Sequence, residues 1–479
     1  MKETDTTDPL HAPVPTDCNG QPLLFSELTT RPVAVDFTAG HVSSDGGGVL
    51  LARLDRSYGY LRFATCFTDH RDADRLEHSL LSLLRQRTYG LALGYEDLND
   101  HDTLCSAPLL ASLCGKADPS GQDRVRRQDR GKALGGKSTL HRLELTPADA
   151  KAEARYKKIV AAPDQIEAYF IDEYVRHLPK DTPRVTLDLD APDDPLHGQQ
   201  EGRFFHGYNG GYGYLPLYIF DGDWPVLAWL RTSDRDASAG ALDKVKLIVA
   251  TLRRRFPQVR IRLRADSGFC RDALLVWCER NEVKYLFGLA RNPVLERQLA
   301  RGLAKARPLR EAQGGAPARV FVEMTYCPGT WHAPRWVIGK AEWTQGEANP
   351  RFIITNDPLE TTAQTLYEQD YCGRGDMENR IKEQQQDLFA DRTSTESLRT
   401  NQWRLWFSTL AYLIVNQLRR VGLAGTELAR ATCGTIRLKL FKIGALVQVS
   451  VRRVWVRLSR AYPWATLFRE VSQRLATVP

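Results

Sequence analysis

The sequence predicts an α/β protein in which helices cover a mixed β-sheet, and three observations carry that prediction. Residues 259–269 read Val-Arg-Ile-Arg-Leu-Arg-Ala-Asp-Ser-Gly-Phe. Their apolar and basic side chains alternate with the period of two expected of a strand with one apolar face. Upstream, 185–190, 214–220 and 225–231 read as three short strands joined by glycine-rich turns. Helical periodicity follows on either side of the first strand named: 239–255 lines up Leu242, Val245, Ile248, Val249 and Leu252, and 271–281 precedes a fifth strand at 283–289. A three-strand meander followed by alternating helices and strands builds a mixed sheet.

The remaining elements follow in chain order. Residues 1–30 are polar and proline-bearing and read as a flexible leader with no apolar signal core. The 31–180 region is mainly helical, with leucines on one face of 75–87 and a similar pattern at 166–178. Within it, 131–138 (Gly-Lys-Ala-Leu-Gly-Gly-Lys-Ser) fits the phosphate-loop spacing. A phosphate loop follows a buried strand, however, and the charged 123–130 cannot form one, so a solvated basic loop is expected. Residues 181–289 hold the first part of the sheet, where Pro216 calls for an edge or a bulge. The 290–355 stretch reads as a β-rich insertion with strands at 319–324, 336–343 and 351–355. Helices resume at 361–388 and 405–420 within a second core part, 356–420, and a basic helical region, 421–479, closes the chain.

Composition narrows the function. The 479 residues carry 42% hydrophobic residues, enough for about three packed domains. A net charge of +8 points to a polyanionic partner, and 419–460 alone holds ten Lys or Arg against the single acid Glu427. The nine cysteines form no Cys-x-x-Cys pair and no zinc-type cluster, as expected of reduced thiols in the cytoplasm. The longest apolar run, 405–415, is too short to span a bilayer, so no membrane association is expected.

Chemistry concentrates in carboxylates. The first strand ends in Asp188-Leu-Asp190, and the 259–265 strand runs into Asp266, where open α/β sheets place their sites. Asp266 also reads as a cap for the helix that follows. Glu378 lies on the first helix after the insertion, on one face with Arg374, Lys382 and Gln385. That stripe is equally an i,i+4 surface ladder. Clustered carboxylates are what phosphodiester cleavage needs, since two Mg²⁺ ions, hard and oxygen-seeking, must be held roughly 3.5–4 Å apart.

Asp190-Ala-Pro with His197-Gly-Gln-Gln-Glu-Gly, Arg264-Ala-Asp266-Ser-Gly-Phe, and Tyr371…Arg374…Glu378-Asn-Arg-Ile-Lys-Glu together resemble the DDE transposases of bacterial insertion sequences. The branch they are most similar to is the insertion-sequence family numbered thirteen-eighty, in the group marked by a Tyr-Arg-Glu-Lys signature. The resemblance runs from about residue 31 to the end. It implies an RNase H-like core with a β-rich insertion before the catalytic Glu, and cut-and-paste transposition in the bacterial cytoplasm at the nucleoid. It implies Asp190, Asp266 and Glu378 as catalytic ligands of two Mg²⁺, with Mn²⁺ as a substitute. Tyr371 and Arg374 become contacts to double-stranded DNA at the terminal inverted repeats, and a homodimer holds the two ends. The signature's Lys falls on Gln385, which leaves Lys382 to supply the charge, and Pro192 departs from the group's usual small hydroxyl residue.

Other residues keep two readings. Asp188 is an alternative first ligand, and His197 either positions a phosphate or makes a turn. Trp403, Trp406 and Trp455 sit in apolar text and read as core. Trp331, Trp336 and Trp343 either pack the insertion or touch distorted DNA. Arg452, Arg453, Arg457 and Arg460 are expected to line DNA. The function expected is end binding, cleavage and joining of 3′-hydroxyl ends to target DNA. The alternatives are an RNase H-like nuclease without strand transfer, and a catalytically silent DNA-binding repressor.

Overall fold

The computed structural model describes residues 23–25, 31, 33–207, 210–314, 316–344, 347–357 and 362–477, so the expected leader lies almost wholly outside the described residues. The N-terminal region is helical as predicted, with α1 (Val49–Tyr58), α2 (Leu80–Leu93) and α3 (Pro163–His177). α2 starts later than its leucine periodicity suggests because Ser79 caps it, accepting from the Ser82 N–H at 3.2 Å. The 131–138 segment has no strand leading into it; Arg127–Asp129 is a single 3₁₀ turn. Lys137 pairs with Asp102 at 3.3 Å, so the segment is no phosphate loop.

The core is one eight-stranded sheet. Its strands are β1 (Arg184–Asp190), β2 (Leu217–Asp221), β3 (Trp224–Trp229), β4 (Arg260–Ala265), β5 (Lys284–Leu289), β6 (Ala318–Tyr326), β7 (Arg335–Trp343) and β8 (Arg351–Thr355). In space they run β3-β2-β1-β4-β5-β8-β7-β6. Neighbours β1, β4 and β5 are parallel and every other pair is antiparallel, the mixed arrangement that the meander predicts. Helices α4 (Ala241–Arg255), α5 (Asp272–Arg280) and α6 (Pro293–Ala312) connect the strands. Val185, Leu187 and Leu189 of β1 are buried, as expected of a strand paired on both sides inside the sheet.

Two later helices complete the body: α7 (Gly375–Lys382) and α8 (Leu398–Gln417). α8 is buried along nearly its whole length and packs against α2 and the edge strand β3. Gln402 of α8 closes that edge. Its side-chain oxygen accepts from the Leu230 N–H at 2.6 Å and its amide donates to the Ala228 carbonyl at 3.2 Å. An open edge would otherwise leave these groups unpaired in the interior.

Three expectations are corrected. The stretch read as β-rich begins instead with the 20-residue α6, capped by Asn292, whose side chain accepts from Val294 and Leu295, with Pro293 in the first turn. The three strands of that stretch form no separate β-rich insertion, because β8 pairs with β5 and extends the main sheet. The strand expected at 214–220 breaks at Pro216. Gly211–Tyr214 joins a small sheet with Asp194–Pro195 and Phe204–His206, and only Leu217–Asp221 enters the core. Finally, the basic region is not wholly helical. β9 (Ala445–Val449) and β10 (Val454–Leu458) form a hairpin against His41–Ser43, followed by α9 (Ala465–Ala476). Among the described residues no helix is long and apolar enough to cross a membrane.

Candidate active site

The parallel register of β1 and β4 sets Leu189 beside Ala265. Asp190 and Asp266 are the next residues of the two strands and leave the sheet at the same edge. Asp266 accepts from the Gly268 N–H at 2.9 Å and so caps the 3₁₀ turn Ser267–Phe269. The cap reading therefore holds for this short turn rather than for α5. Gly288 on β5 lets the neighbourhood close: a Cβ there would lie 2.6 Å from the Tyr371 hydroxyl and 2.9 Å from the Ser267 nitrogen.

Glu378 arrives on an interrupted helical rod. A π turn, Leu366–Tyr371, and a 3₁₀ turn, Cys372–Arg374, precede α7, and a second π turn, Glu383–Asp387, follows it. Such turns are frequent at functional sites. Met377, Ile381, Gln384 and Leu388 bury one side, and Gln384 donates to Thr409 at 2.6 Å. Glu383 fixes the rod through Arg419 at 2.6 Å, a buried ion pair that takes Arg419 out of the free basic run. The opposite side carries Arg374 and Glu378, joined at 2.7 Å; the same guanidinium stands 3.7 Å from Asp190. Burial pushes the Asp190 carboxyl up to about 6; Arg374 opposes the rise, while the charges of Asp266 and Glu378 add to it. Burial likewise raises the Tyr371 hydroxyl, and the neighbouring Arg374 opposes it. The three carboxylates predicted from sequence thus feel one another, with Arg374 between the first and the third.

Over residues 25–479 the chain matches the family model described as transposase DDE domain group 1. The chain belongs to this transposase family. Membership makes it a DNA transposase, an enzyme class that cuts and joins nucleic acid, and implies DNA binding and a divalent metal. No curated protein matches the sequence. Among solved structures, the cryo-EM structure of the piggyBac transposase synaptic complex with hairpin DNA aligns at a TM-score of 0.41 and 11% identity, covering 82% of this chain and 79% of that one. At that distance neither fold stands in for the other.

An all-oxygen set of three carboxylates is the donor chemistry a hard divalent ion takes. Among the described residues no three such groups are arranged to hold an ion as they stand. The Arg374 guanidinium, placed between Asp190 and Glu378, accounts for that spacing. The donor set fits; the side-chain arrangement has to change for it to close.

Asp188 of the transposase is not an available ligand. It is buried and clasped by Arg264, whose Nη2 donates to Oδ2 at 2.7 Å and whose Nε donates to Oδ1. Arg264 also donates to the Asp370 carbonyl, near the end of the Leu366–Tyr371 π turn. Arg262 adds ion pairs to Asp357 at 2.5 Å and Asp370 at 3.2 Å. Two arginines of β4 therefore tie the rod bearing Tyr371, Arg374 and Glu378 to the sheet. The alternating arginines carried this signal, but their partners depend on a strand register that the sequence does not state.

The other predicted residues are spread more widely. Lys382 is exposed without an ion pair among the described residues. Gln385 lies in the second π turn, off the 3.6-residue stripe that holds Glu378. His197 is exposed in the loop after Asp194–Pro195 and makes no side-chain hydrogen bond among the described residues. Trp403 and Trp406 are core, as read, and Trp343 donates to the Leu303 carbonyl at 2.9 Å. Trp455 is a correction: it lies on β10 with 48% of its surface exposed, because strand periodicity turns it outward. Arg452 and Arg453 sit at the tip of the same hairpin.

Proposed function

We propose that this protein is an insertion-sequence transposase that cuts and pastes its element, using Asp190, Asp266 and Glu378 as the catalytic carboxylates. The observation that supports this reading is the buried Asp190 at the end of β1, beside the end of β4 at Asp266, with Arg374 spanning from it at 3.7 Å to Glu378 at 2.7 Å. The thirteen-eighty branch of the insertion sequences, with its Tyr-Arg-Glu-Lys signature, is the assignment the motif residues support.

In this reading the three carboxylates hold Mg²⁺, with Mn²⁺ as a substitute. When bound, two such ions supply activation of the nucleophile and charge stabilisation at the leaving oxygen. The chain's own residues do the positioning. Arg374 leaves the Asp190–Glu378 gap and takes a phosphate of the scissile strand, where a planar guanidinium binds two oxygens at once. Tyr371 donates to a neighbouring phosphate from its place beside Asp266. Lys382 and Gln385 follow the same strand away from the cut, and Arg452 and Arg453 hold DNA further out. At each transposon end water forms the new P–O bond and the 3′ oxygen departs as a hydroxyl. That hydroxyl then attacks a target phosphodiester and displaces its 3′ oxygen. The N-terminal helical region recognises the terminal inverted repeats, and two protomers hold the two ends.

The test incubates the protein with Mg²⁺ and a labelled end fragment. Asp266→Asn and Glu378→Gln are expected to lose cleavage by about a thousandfold or more. Cleavage at the parent rate in either variant sinks the assignment. Cleaved ends that never join target DNA make the protein a nuclease without strand transfer, and the cut-and-paste reading fails.

A further inference from the structure

Residues 428–469 contain nine Lys or Arg and no Asp or Glu, and three of the nine have work inside the fold. Arg437 donates to the Ala92 carbonyl at 3.0 Å at the end of α2, Lys442 pairs with Asp45 at 2.7 Å, and Lys439 sits over the Trp464 ring at 4.4 Å. The other six have no ion pair among the described residues, and four of these stand together: Arg452, Arg453, Arg457 and Arg460. All four belong to the β9–β10 hairpin or to its exit.

Strand alternation sorts the hairpin into two faces. Val447 and Val456, a register pair, turn inward and pack with the core, with Val456 half-buried. Arg453, Trp455 and Arg457 share the other face, and both guanidiniums stand 5.9 Å from the Trp455 ring. The third strand, His41–Ser43, continues this face with Val42, which is 65% exposed. The tip is closed by Ser450, whose hydroxyl donates to the Arg453 carbonyl at 2.9 Å and accepts the Arg453 N–H at 3.2 Å. Val451 projects fully into solvent from that closed turn. Charged side chains also keep an edge strand from pairing with other chains. That role asks for no exposed indole between two arginines.

We propose that the outer face of this three-stranded sheet is a docking surface for duplex DNA. Arg452, Arg453 and Arg457 take backbone phosphates, and Trp455 packs against the sugar edge between them. Uncompensated guanidiniums on a rigid ribbon fit a polyanion, because each phosphate contact releases condensed counterions, and a ring flanked by cations adds apolar contact along the backbone. This surface rests on the transposase reading, which supplies DNA as the partner.

The experiment titrates the full-length protein into a fluorescein-labelled 40-base-pair DNA duplex over a series of KCl concentrations. Arg453→Gln/Arg457→Gln is expected to reduce the slope of log K against log salt by about 1.8, or roughly 0.9 for each phosphate that is no longer neutralised. Arg453→Lys/Arg457→Lys keeps the parent slope, which guards against a folding artefact. Trp455→Leu is expected to weaken binding on the order of tenfold with the slope unchanged. A Gln pair with the parent's affinity and slope overturns the proposal, as does a parent that holds an RNA duplex of equal length more tightly than DNA. An unchanged slope with end cleavage intact sinks the hairpin alone. A hairpin-dependent slope in a protein that cuts no ends sinks the transposase reading alone.

Discussion

Asp190 gathers the electrostatics of the site into one titration. Burial, joined by the charges of Asp266 and Glu378, raises its carboxyl to about 6, against the pull of Arg374. A folded-state pKa above the unfolded value of about 3.9 means that folding favours the protonated form. That contribution to stability is fully present below about pH 4 and is lost as pH rises through about 6. Asp190→Asn removes the loss. It is therefore expected to be more stable than the parent at pH 8, on the order of 2 to 3 kcal/mol, with the two converging below about pH 4. Thermal or urea unfolding of metal-free protein at both pH values checks this. Equal stability at pH 8 contradicts the burial of Asp190 beside the charges of Asp266 and Glu378.

At the scale of elements, the β4 strand and the Glu378 rod form one mechanical unit. Asp188 is fully buried and Arg264 largely so, and Gly373 makes room for the guanidinium: a Cβ there would come within 2.8 Å of Arg264 Nη1. Removing one partner of a buried pair leaves an uncompensated charge, so Arg264→Gln is expected to lose about 3 to 5 kcal/mol of stability. Gly373→Ala is expected to lose roughly 1 to 3 kcal/mol by overpacking. Chemical denaturation measures both, and a loss below about 1 kcal/mol in Arg264→Gln would show that the clasp does not hold the rod. What could be read from sequence divides along the same line. β4 and α4 were legible because period-two and period-3.6 patterns need only local text. The ends of β1 and β4, at Asp190 and Asp266, are legible in the same way. The Arg264–Asp188 clasp was not, because it depends on which strands are neighbours and in what register. α6 was missed because its Arg- and Ala-rich surface mutes the apolar stripe, although Asn292-Pro293 is a helix start in plain view. The β9–β10 hairpin is harder to see because its basic residues are as compatible with a helix, although 454–458 alternates Val, Trp, Val, Arg and Leu.

At the scale of the molecule, the first and last regions pack as one body rather than as separate units. β9 pairs with His41–Ser43, Lys442 meets Asp45, and Arg437 satisfies carbonyls at the end of α2. Gly47 lies so close to the Leu440 carbonyl that a Cβ there would overlap it. The hairpin proposed to hold DNA and the helical region proposed to read the inverted repeats are therefore built into one another, and α8 packs the helical region against the sheet that carries the carboxylates. The most direct test of the account supplies a pre-cleaved transposon end with a free 3′-hydroxyl, a supercoiled target plasmid and Mg²⁺, and measures joined product alongside end binding. The parent is expected to join the end to the plasmid, while Asp190→Asn, Asp266→Asn and Glu378→Gln bind the end as the parent does and join at least about a thousandfold more slowly. Joining at the parent rate by any one of the three contradicts the central claim that these carboxylates carry the chemistry.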